Sequence, residues 1–181
     1  PDVVYLVLGA THPHVLKNDG ENYRLGLQRR VRDLDLQQNV IFYNRFVDDK
    51  ELSEFIGAAD VYVTPYLNEA QITSGTLAYA VGAGKAVVST PYWHAAELLA
   101  DERGILVPFR DSEAIAEAVI RLFDDELARL DMRKNAYRFG RDMIWREVAR
   151  RYLDTFEMAR SRRAETPRPA LTEKISSPRK F

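Results

Sequence analysis

A short run of small and hydroxyl-bearing residues, Thr73-Ser74-Gly75-Thr76, carries the strongest chemical signal in this sequence. It precedes a stretch rich in alanine and glycine, which predicts that a thin helix begins here and packs closely on a sheet. The first turn of a helix has backbone N–H groups without intrahelical partners, and it is the positive end of the helix dipole. The run therefore predicts a phosphate site, and simple capping of the helix by a hydroxyl is compatible with it.

Two other polar loops directly follow predicted strands, and ligands of open α/β sheets bind beyond the carboxyl ends of strands. Gly9 and Thr11 follow the first strand, and Asn44 and Arg45 follow the second. Arg45 is a candidate phosphate ligand because its guanidinium is planar and always charged. A solvent-facing loop arginine without a ligand is an equal alternative.

Histidines and aromatic residues offer weaker signals. His12 and His14 lie in the first loop, but a metal site needs three or four suitable ligands and no cysteine or third nearby histidine is present, so we expect no metal. After another strand come Tyr92, Trp93 and His94, which could shape a sugar-binding cleft, since aromatic faces stack on sugars. For Trp93 we expect packing in the core instead.

The rhythm of the chain predicts the fold class. Apolar runs rich in β-branched residues alternate with amphipathic segments, which is typical of an α/β protein with an open, Rossmann-like parallel sheet and helices on both faces. We expect at least five strands in one sheet, the first buried on both faces. The predicted strands are 3–8, 40–43, 61–64, 86–89 and 105–108, and the main predicted helices are 22–34, 50–58, 113–123, 126–139 and 144–160.

Composition indicates an ordinary globular protein. The 181 residues suit one domain, with 46% hydrophobic and 29% charged residues. A net charge of −1 gives no pull toward nucleic acid, no apolar run could span a membrane, and the absence of cysteine and of a signal peptide fits a cytoplasmic location. We expect one Rossmann-like domain over residues 1–159 and a disordered tail over residues 160–181.

Several segments, taken in order, resemble the donor-binding domain of the group 1 retaining glycosyltransferases of GT-B architecture. Residues 58–65, Ala-Ala-Asp-Val-Tyr-Val-Thr-Pro, match the family's Ala-Ala-Asp-Val-x-Val-x-Pro strand. Residues 80–86 match its alanine-glycine motif, with Ala86 in place of the usual proline. The resemblance covers residues 3–123 and implies one half of a GT-B fold, the C-terminal one, without its first strand and helix.

The resemblance also implies roles for single residues. The family's two glutamates, eight residues apart, fall on Gln71 and Tyr79 here, and Glu69 could replace the first if the loop is longer. Glu69 and Gln71 would then lie by the donor sugar as catalytic candidates, and Tyr79 would stand where a glutamate holds the ribose. The implied contacts to the rest of the donor are Gly9 and Thr11 in the first loop, Asn44 and Arg45 in the second, and Thr73, Ser74, Gly75 and Thr76 at the phosphates.

The implied activity is retaining transfer of a sugar from a nucleotide-diphosphate donor to an unknown acceptor, with neither a metal nor another cofactor. The acceptor site and the basic residues for the diphosphate would belong to an absent N-terminal domain and its junction, so we expect this chain alone to have negligible activity. Two alternatives stay open: a nucleotide-sugar epimerase of GT-B shape, and a non-catalytic Rossmann-type ligand-binding domain in which Tyr79 marks lost catalysis.

Overall fold

Five strands and eight helices occur in the computed structural model, which describes residues 3–165. The chain divides into two compact units, Pro1–Ala59 and Asp60–Phe181. Every strand pair described is parallel. The predicted α/β class with parallel strands is therefore confirmed.

The first unit contains two strands and three helices. They are β1 (Tyr5–Leu8), α1 (Pro13–Asp19), α2 (Asn22–Asp33), β2 (Val40–Tyr43) and α3 (Asp49–Ala58). Strands β1 and β2 pair in parallel from Tyr5 opposite Val40 to Leu8 opposite Tyr43. The predicted burial of the first strand on both faces is wrong, since Tyr5 is 48% exposed in a sheet of two described strands.

Helix α1 was not predicted, because residues 9–14 were assigned to a loop. His12 is the N-cap residue, and its Nδ1 accepts a hydrogen bond from the His14 N–H at 3.2 Å. Pro13 occupies the first helical position, where a missing N–H costs nothing and the fixed φ favours the helix. A proline directly after a polar residue was therefore the local signal for this helix. Asp48 caps α3, where its side chain accepts a hydrogen bond from the Glu51 N–H at 2.8 Å.

The second unit begins with the three-stranded part of the protein. Its elements are β3 (Val61–Thr64), α4 (Gly75–Gly82), β4 (Ala86–Ser89), α5 (Trp93–Leu98), β5 (Ile105–Leu106), α6 (Ser112–Asp124), α7 (Glu126–Arg141) and α8 (Trp145–Glu165). The strand order is β3-β4-β5, so β4 is central. The hydrogen-bonded pairs thus form a two-stranded and a three-stranded sheet, where we had expected a single sheet of five strands.

Strand β4 is the centre of the core. Ala86, Val87 and Val88 are fully buried, and Ser89 is 1% exposed. Alternate residues of a strand point to opposite faces, so this burial requires cover on both faces. On one face Ala86 and Val88 join a core cluster with Ala118 and Leu122 of α6. Helices α4 and α7 also contact β4, so three helices cover this strand.

Helix α4 lies against α7 at a crossing of two glycines. A Cβ atom added to Gly140 would lie 2.7 Å from the Cα of Gly82 and 3.2 Å from the Val81 carbonyl oxygen. The Arg141 guanidinium donates to the Gly82 carbonyl oxygen at 2.7 Å beside this contact. The small residues of α4 therefore allow close packing on a helix as well as on the sheet.

Helix α8 carries large apolar side chains that do not pack on this unit. Trp145 is 87% exposed, Tyr152 61% and Phe156 63%. The helix extends to Glu165, past the residue where the tail was expected to begin. The remainder of the expected tail, residues 166–181, lies outside the described residues.

Candidate functional site

The predicted helix start within residues 73–76 is confirmed, and Ser74 is the residue that caps it. Ser74 has an extended backbone (φ −139°, ψ 107°), and its Oγ accepts a hydrogen bond from the Leu77 N–H at 3.3 Å. Its side chain is nearly buried, at 6% exposure. The Ser74 hydroxyl thus caps the helix by accepting from the Leu77 N–H.

The next two backbone amides complete the helix start. Within residues 3–165, neither the Gly75 N–H nor the Thr76 N–H donates a hydrogen bond to another residue. Gly75 is exposed, and a Cβ atom added there would have no atom within 4 Å. The Thr76 hydroxyl lies 3.5 Å from the Ser74 hydroxyl. Two amides without a protein acceptor thus lie at the positive end of α4, beside an exposed glycine, an arrangement suited to an anion.

The loop that leads into this helix is held mainly by its own polar groups. The Asn68 side chain accepts from the Ala70 N–H at 3.2 Å, and the Asn68 carbonyl accepts from the Gln71 N–H at 3.2 Å. The Gln71 side-chain amide donates to the Thr73 carbonyl at 2.9 Å. Glu69 is exposed. Of the two donor-sugar candidates, Gln71 thus uses an amide hydrogen within the loop, and Glu69 presents its carboxylate to solvent.

The first turn of α5 makes three further hydrogen bonds to the same loop. The Trp93 N–H donates to the Glu69 carbonyl at 3.0 Å, and the His94 N–H donates to the Gln71 carbonyl at 3.3 Å. In the opposite direction, the Ser74 N–H donates to His94 Nδ1 at 2.9 Å. Sequence reasoning placed His94 near the cleft but missed this bond, because its partners lie twenty residues apart.

Tyr92, rather than Trp93, is the aromatic residue that packs in the core. Tyr92 is fully buried, its hydroxyl lies 3.5 Å from Thr64 Oγ1, and its ring centroid lies 5.3 Å from that of Tyr66. Trp93 is 57% exposed, so the expectation that it packs in the core is wrong. The helix begins at Trp93, which turns that side chain outward and its neighbour inward.

Tyr79 lies on α4, one turn after Gly75. Residues four apart lie on the same face of a helix, so Tyr79 and Gly75 share one. The Tyr79 side chain is 51% exposed. The structure thus brings together Glu69, Gln71, Thr73, Ser74, Gly75, Thr76 and Tyr79 in the second unit.

The remaining candidates belong to the first unit, at the carboxyl ends of β1 and β2. The Gly9 N–H donates to the Tyr43 carbonyl at 3.1 Å, so Gly9 adjoins the strand that ends just before Asn44. Gly9 has φ +127°, which only glycine adopts readily. Thr11 is already engaged, donating from its hydroxyl to Glu21 at 2.6 Å. This bond and one from Arg24 lower the pKa of the Glu21 carboxyl.

Arg45 is held by its own unit. Two of its guanidinium nitrogens bond the two carboxylate oxygens of Glu51, and Nε and Nη2 donate to the Tyr43 hydroxyl at 2.9 and 2.7 Å. The carboxylate of Glu51, and next the Tyr43 hydroxyl, raise the pKa of Arg45. This geometry favours the structural alternative for Arg45 over direct contact with a phosphate.

We expect Arg45→Ala to change nucleotide-sugar affinity in the whole protein less than about twofold, because exposed ion pairs contribute only about 0–1 kcal/mol and no ligand contact is lost. Titration calorimetry of wild type and variant measures this. A tenfold loss of affinity would show that Arg45 leaves Glu51 and binds phosphate. Glu51→Gln is the matched control, since it frees the guanidinium without removing it.

Two further classes of site receive no support from residues 3–165. No group of three or more histidine, aspartate or glutamate side chains is placed to hold a metal ion in that part of the chain. None of its helices combines the length and apolar character that crossing a membrane requires.

Comparisons with known proteins show the family and the fold of this chain. Residues 5–125 match the family model described as "Glycosyl transferases group 1". The uncharacterized glycosyltransferase MJ1069 of Methanocaldococcus jannaschii is 28% identical over 121 residues, which are 66% of this chain and 31% of that relative. The chain therefore spans about a third of the length of that curated relative.

Two solved structures share the fold. The C-terminal domain of the group 1 glycosyl transferase LpcC from Francisella tularensis matches with a TM-score of 0.61 and 24% identity, over 76% of this chain and 67% of that one. Alr3699/HepE from Anabaena, in complex with UDP, matches with a TM-score of 0.73 and 18% identity, over 87% and 42%. At such identities the similarity is one of fold.

Proposed function

This chain belongs to the group 1 glycosyltransferases, and from that premise we propose that it is the C-terminal, donor-binding part of an enzyme that transfers a sugar from a nucleotide-diphosphate donor. The start of α4 is the observation that carries the proposal. Its unpaired Gly75 and Thr76 amides lie at the carboxyl edge of the β3-β4-β5 sheet, in the segment that the family resemblance assigns to the phosphates.

In the proposed reaction this helix start stabilises the departing nucleoside diphosphate. Negative charge develops on the diphosphate as the bond to the sugar breaks. Two backbone amides, the Thr76 hydroxyl and the helix dipole are fixed before the reaction and aimed at that charge. Such preorganised groups supply what a metal ion supplies in other enzymes. We therefore propose a metal-independent, cofactor-free reaction with retention of the anomeric configuration.

Three side chains near the helix start have proposed roles in holding the rest of the donor. Glu69 offers an exposed carboxylate, on a loop whose backbone is fixed by the Trp93 N–H, to the hydroxyls of the donor sugar. The Gln71 amide oxygen is a second acceptor for them. Tyr79, on the same helix face as Gly75, takes the ribose position with a single hydroxyl in place of a carboxylate.

The nature of the donor follows from two lines of support. The residues at the helix start are suited to a diphosphate, and the Anabaena protein of the same fold was crystallised with UDP. UDP-sugars are therefore the first donors to test. For Gly9 and Asn44, at the carboxyl ends of β1 and β2 in the first unit, contact with the donor stays a prediction from the family resemblance.

The acceptor site is proposed to belong to an N-terminal domain of the same enzyme, and the basic residues for the diphosphate to the first strand and helix of the donor-binding domain. The exposed apolar face of α8, formed by Trp145, Tyr152 and Phe156, is the proposed surface toward that domain. Three large aromatic side chains left in water on one helix support this assignment, since such patches mark interaction surfaces.

Calorimetry and product analysis with the whole protein test the proposal. We expect UDP or a UDP-sugar to bind with EDTA present, and the transferred sugar to keep its anomeric configuration by NMR. A new sugar epimer formed without acceptor would show an epimerase instead. Binding without any turnover would show a regulatory domain, and no binding of any nucleotide sugar would refute donor recognition.

A further inference from the structure

We propose that His94 is a positioning residue, which holds the donor-binding turn at Ser74 through its ring nitrogen and so sets the direction of the Gly75 and Thr76 amides. The inference rests on the proposed function for its consequence, but its geometry stands independently. His94 touches no proposed reacting atom. Its proposed effect is indirect: it fixes the Ser74 turn, and the amides that follow this turn bind the donor.

The contact has a specific architecture. The Ser74 N–H, which directly precedes the open amides, points to His94 Nδ1 at 2.9 Å. His94 is tied to the same loop a second time, because its own N–H donates to the Gln71 carbonyl at 3.3 Å. One residue of α5, His94, is thus hydrogen-bonded to the loop at two points, the Gln71 carbonyl and the Ser74 N–H.

The same hydrogen bonds occupy two amides of the first turn of α5. Its Trp93 and His94 amides are bonded to the carbonyls of Glu69 and Gln71. The Ser74 N–H likewise donates a hydrogen bond to the His94 imidazole. The Gly75 and Thr76 amides, for which the described residues offer no acceptor, directly follow the Ser74 turn, so the orientation of both depends on it.

The bond requires a neutral imidazole with its proton on Nε2, because only an unprotonated Nδ1 accepts a hydrogen bond. Burial lowers the pKa of His94, and the carboxylate of Glu97 on the same helix opposes this shift. The loop packed on it carries one charged side chain, Glu69, and α4 carries one titratable group, Tyr79. Both are exposed.

The sign of the pH dependence follows. A histidine whose pKa is lowered on folding contributes stability above its ordinary value of 6.5, and that contribution is lost as the pH falls below it. Protonation of Nδ1 would replace the acceptor with a second donor facing the Ser74 N–H. The donor-binding turn is therefore expected to loosen on the acid side.

Two variants of the whole protein separate the role of the acceptor from that of the ring. In His94→Asn the side-chain oxygen is, like Nδ1, two bonds from Cβ, so it can accept from Ser74 but cannot titrate. His94→Leu removes the acceptor. We expect hydrogen–deuterium exchange of peptides spanning residues 68–76, measured without donor, to be about tenfold faster in His94→Leu and near wild type in His94→Asn.

Affinity for UDP, measured by calorimetry between pH 5 and 8, links the turn to the donor. We expect the dissociation constant to be about tenfold higher in His94→Leu than in wild type at pH 8, since a desolvated amide is left unpaired, and this difference should narrow toward pH 5 as the wild-type imidazole is protonated. Wild type should lose affinity only at pH values below the ordinary histidine pKa of 6.5, because burial lowers the pKa of His94, and His94→Asn should not lose the same share.

Each result decides something. Unchanged exchange in His94→Leu overturns the hold on the turn. Faster exchange with unchanged UDP affinity overturns the link to the donor. Parallel pH profiles of wild type and His94→Asn also overturn it. Faster exchange in a protein that binds no nucleotide or nucleotide sugar supports the hold while refuting the proposed function, so the two failures are distinguishable.

Discussion

Gly75→Asp is expected to weaken UDP-sugar binding by at least about a hundredfold while leaving the fold intact. The new carboxylate would stand beside the open Gly75 and Thr76 amides, where we place the diphosphate. Juxtaposed like charges at a desolvated interface cost several kcal/mol, and every 1.4 kcal/mol is a tenfold change in affinity.

The fold should tolerate the change for two reasons. A Cβ atom at residue 75 would have no atom within 4 Å, so no packing is disturbed. An acidic side chain in the first turn of a helix also interacts favourably with the dipole. We therefore expect a Tm equal to that of wild type or slightly higher.

Gly75→Asn is the matched control, since it adds a side chain of the same size without charge. It should lose far less affinity than the aspartate variant. Titration with uridine, which has no phosphate, supplies a second comparison, because its binding should not depend on the charge at residue 75. Equal UDP affinity in folded Gly75→Asp and wild type would place the phosphates elsewhere and leave Ser74 as a structural cap only.

The start of α4 could be predicted from sequence because its signals are local. A hydroxyl residue, a glycine and a run of small residues within one helical turn determine both the cap and the open amides. The same reasoning applied to Pro13 would have found α1, since a proline after a capping residue is also a local signal. The predicted loop is therefore wrong from Pro13 onward, where α1 begins.

Contacts between distant residues were not accessible in this way. The bond from Ser74 to His94 joins the loops after two neighbouring strands, and it depends on the register in which β3 and β4 pair. The choice between Tyr92 and Trp93 for the core depended on the residue at which α5 begins. Arg45 lay six residues from Glu51, and only the turn into α3 brings the two together.

The apolar run of the first strand shows that a strand could be predicted from sequence while its burial could not. A continuous run of β-branched and aromatic residues predicts a strand, and a strand is present, but burial depends on how many neighbours it has. Tyr5 and Leu6 remain 48% and 37% exposed in a sheet of two described strands, whereas β4, with strands on both sides, is buried throughout. The sequence patterns of β1 and β4 are similar, and the two strands differ in the number of neighbouring strands.

Gly140→Ala is expected to lower the free energy of unfolding by about 1–3 kcal/mol, the usual cost of overpacking a well-packed site. The added methyl would lie 2.7 Å from the Cα of Gly82, against backbone atoms that cannot rotate away. In a helix without this contact, glycine to alanine stabilises by roughly 0.5–1 kcal/mol, so the sign of the effect identifies the crossing as its cause. Urea unfolding of the whole protein measures it.

Gly26→Ala is the matched control, because Gly26 also lies within a helix, α2, and has no atom within 4 Å of an added Cβ. It should be neutral or stabilising. The two substitutions are also expected to differ in their effect on UDP affinity. Moving α7 away from Gly82 shifts α4, whose opposite end forms the open amide pair, so UDP affinity should fall in Gly140→Ala and stay unchanged in Gly26→Ala. Equal free energies of unfolding for the two variants would show that a methyl group at residue 140 meets no close contact with α4. The crossing of α4 and α7 would then not position the anion site, which would depend on the loop before α4 alone.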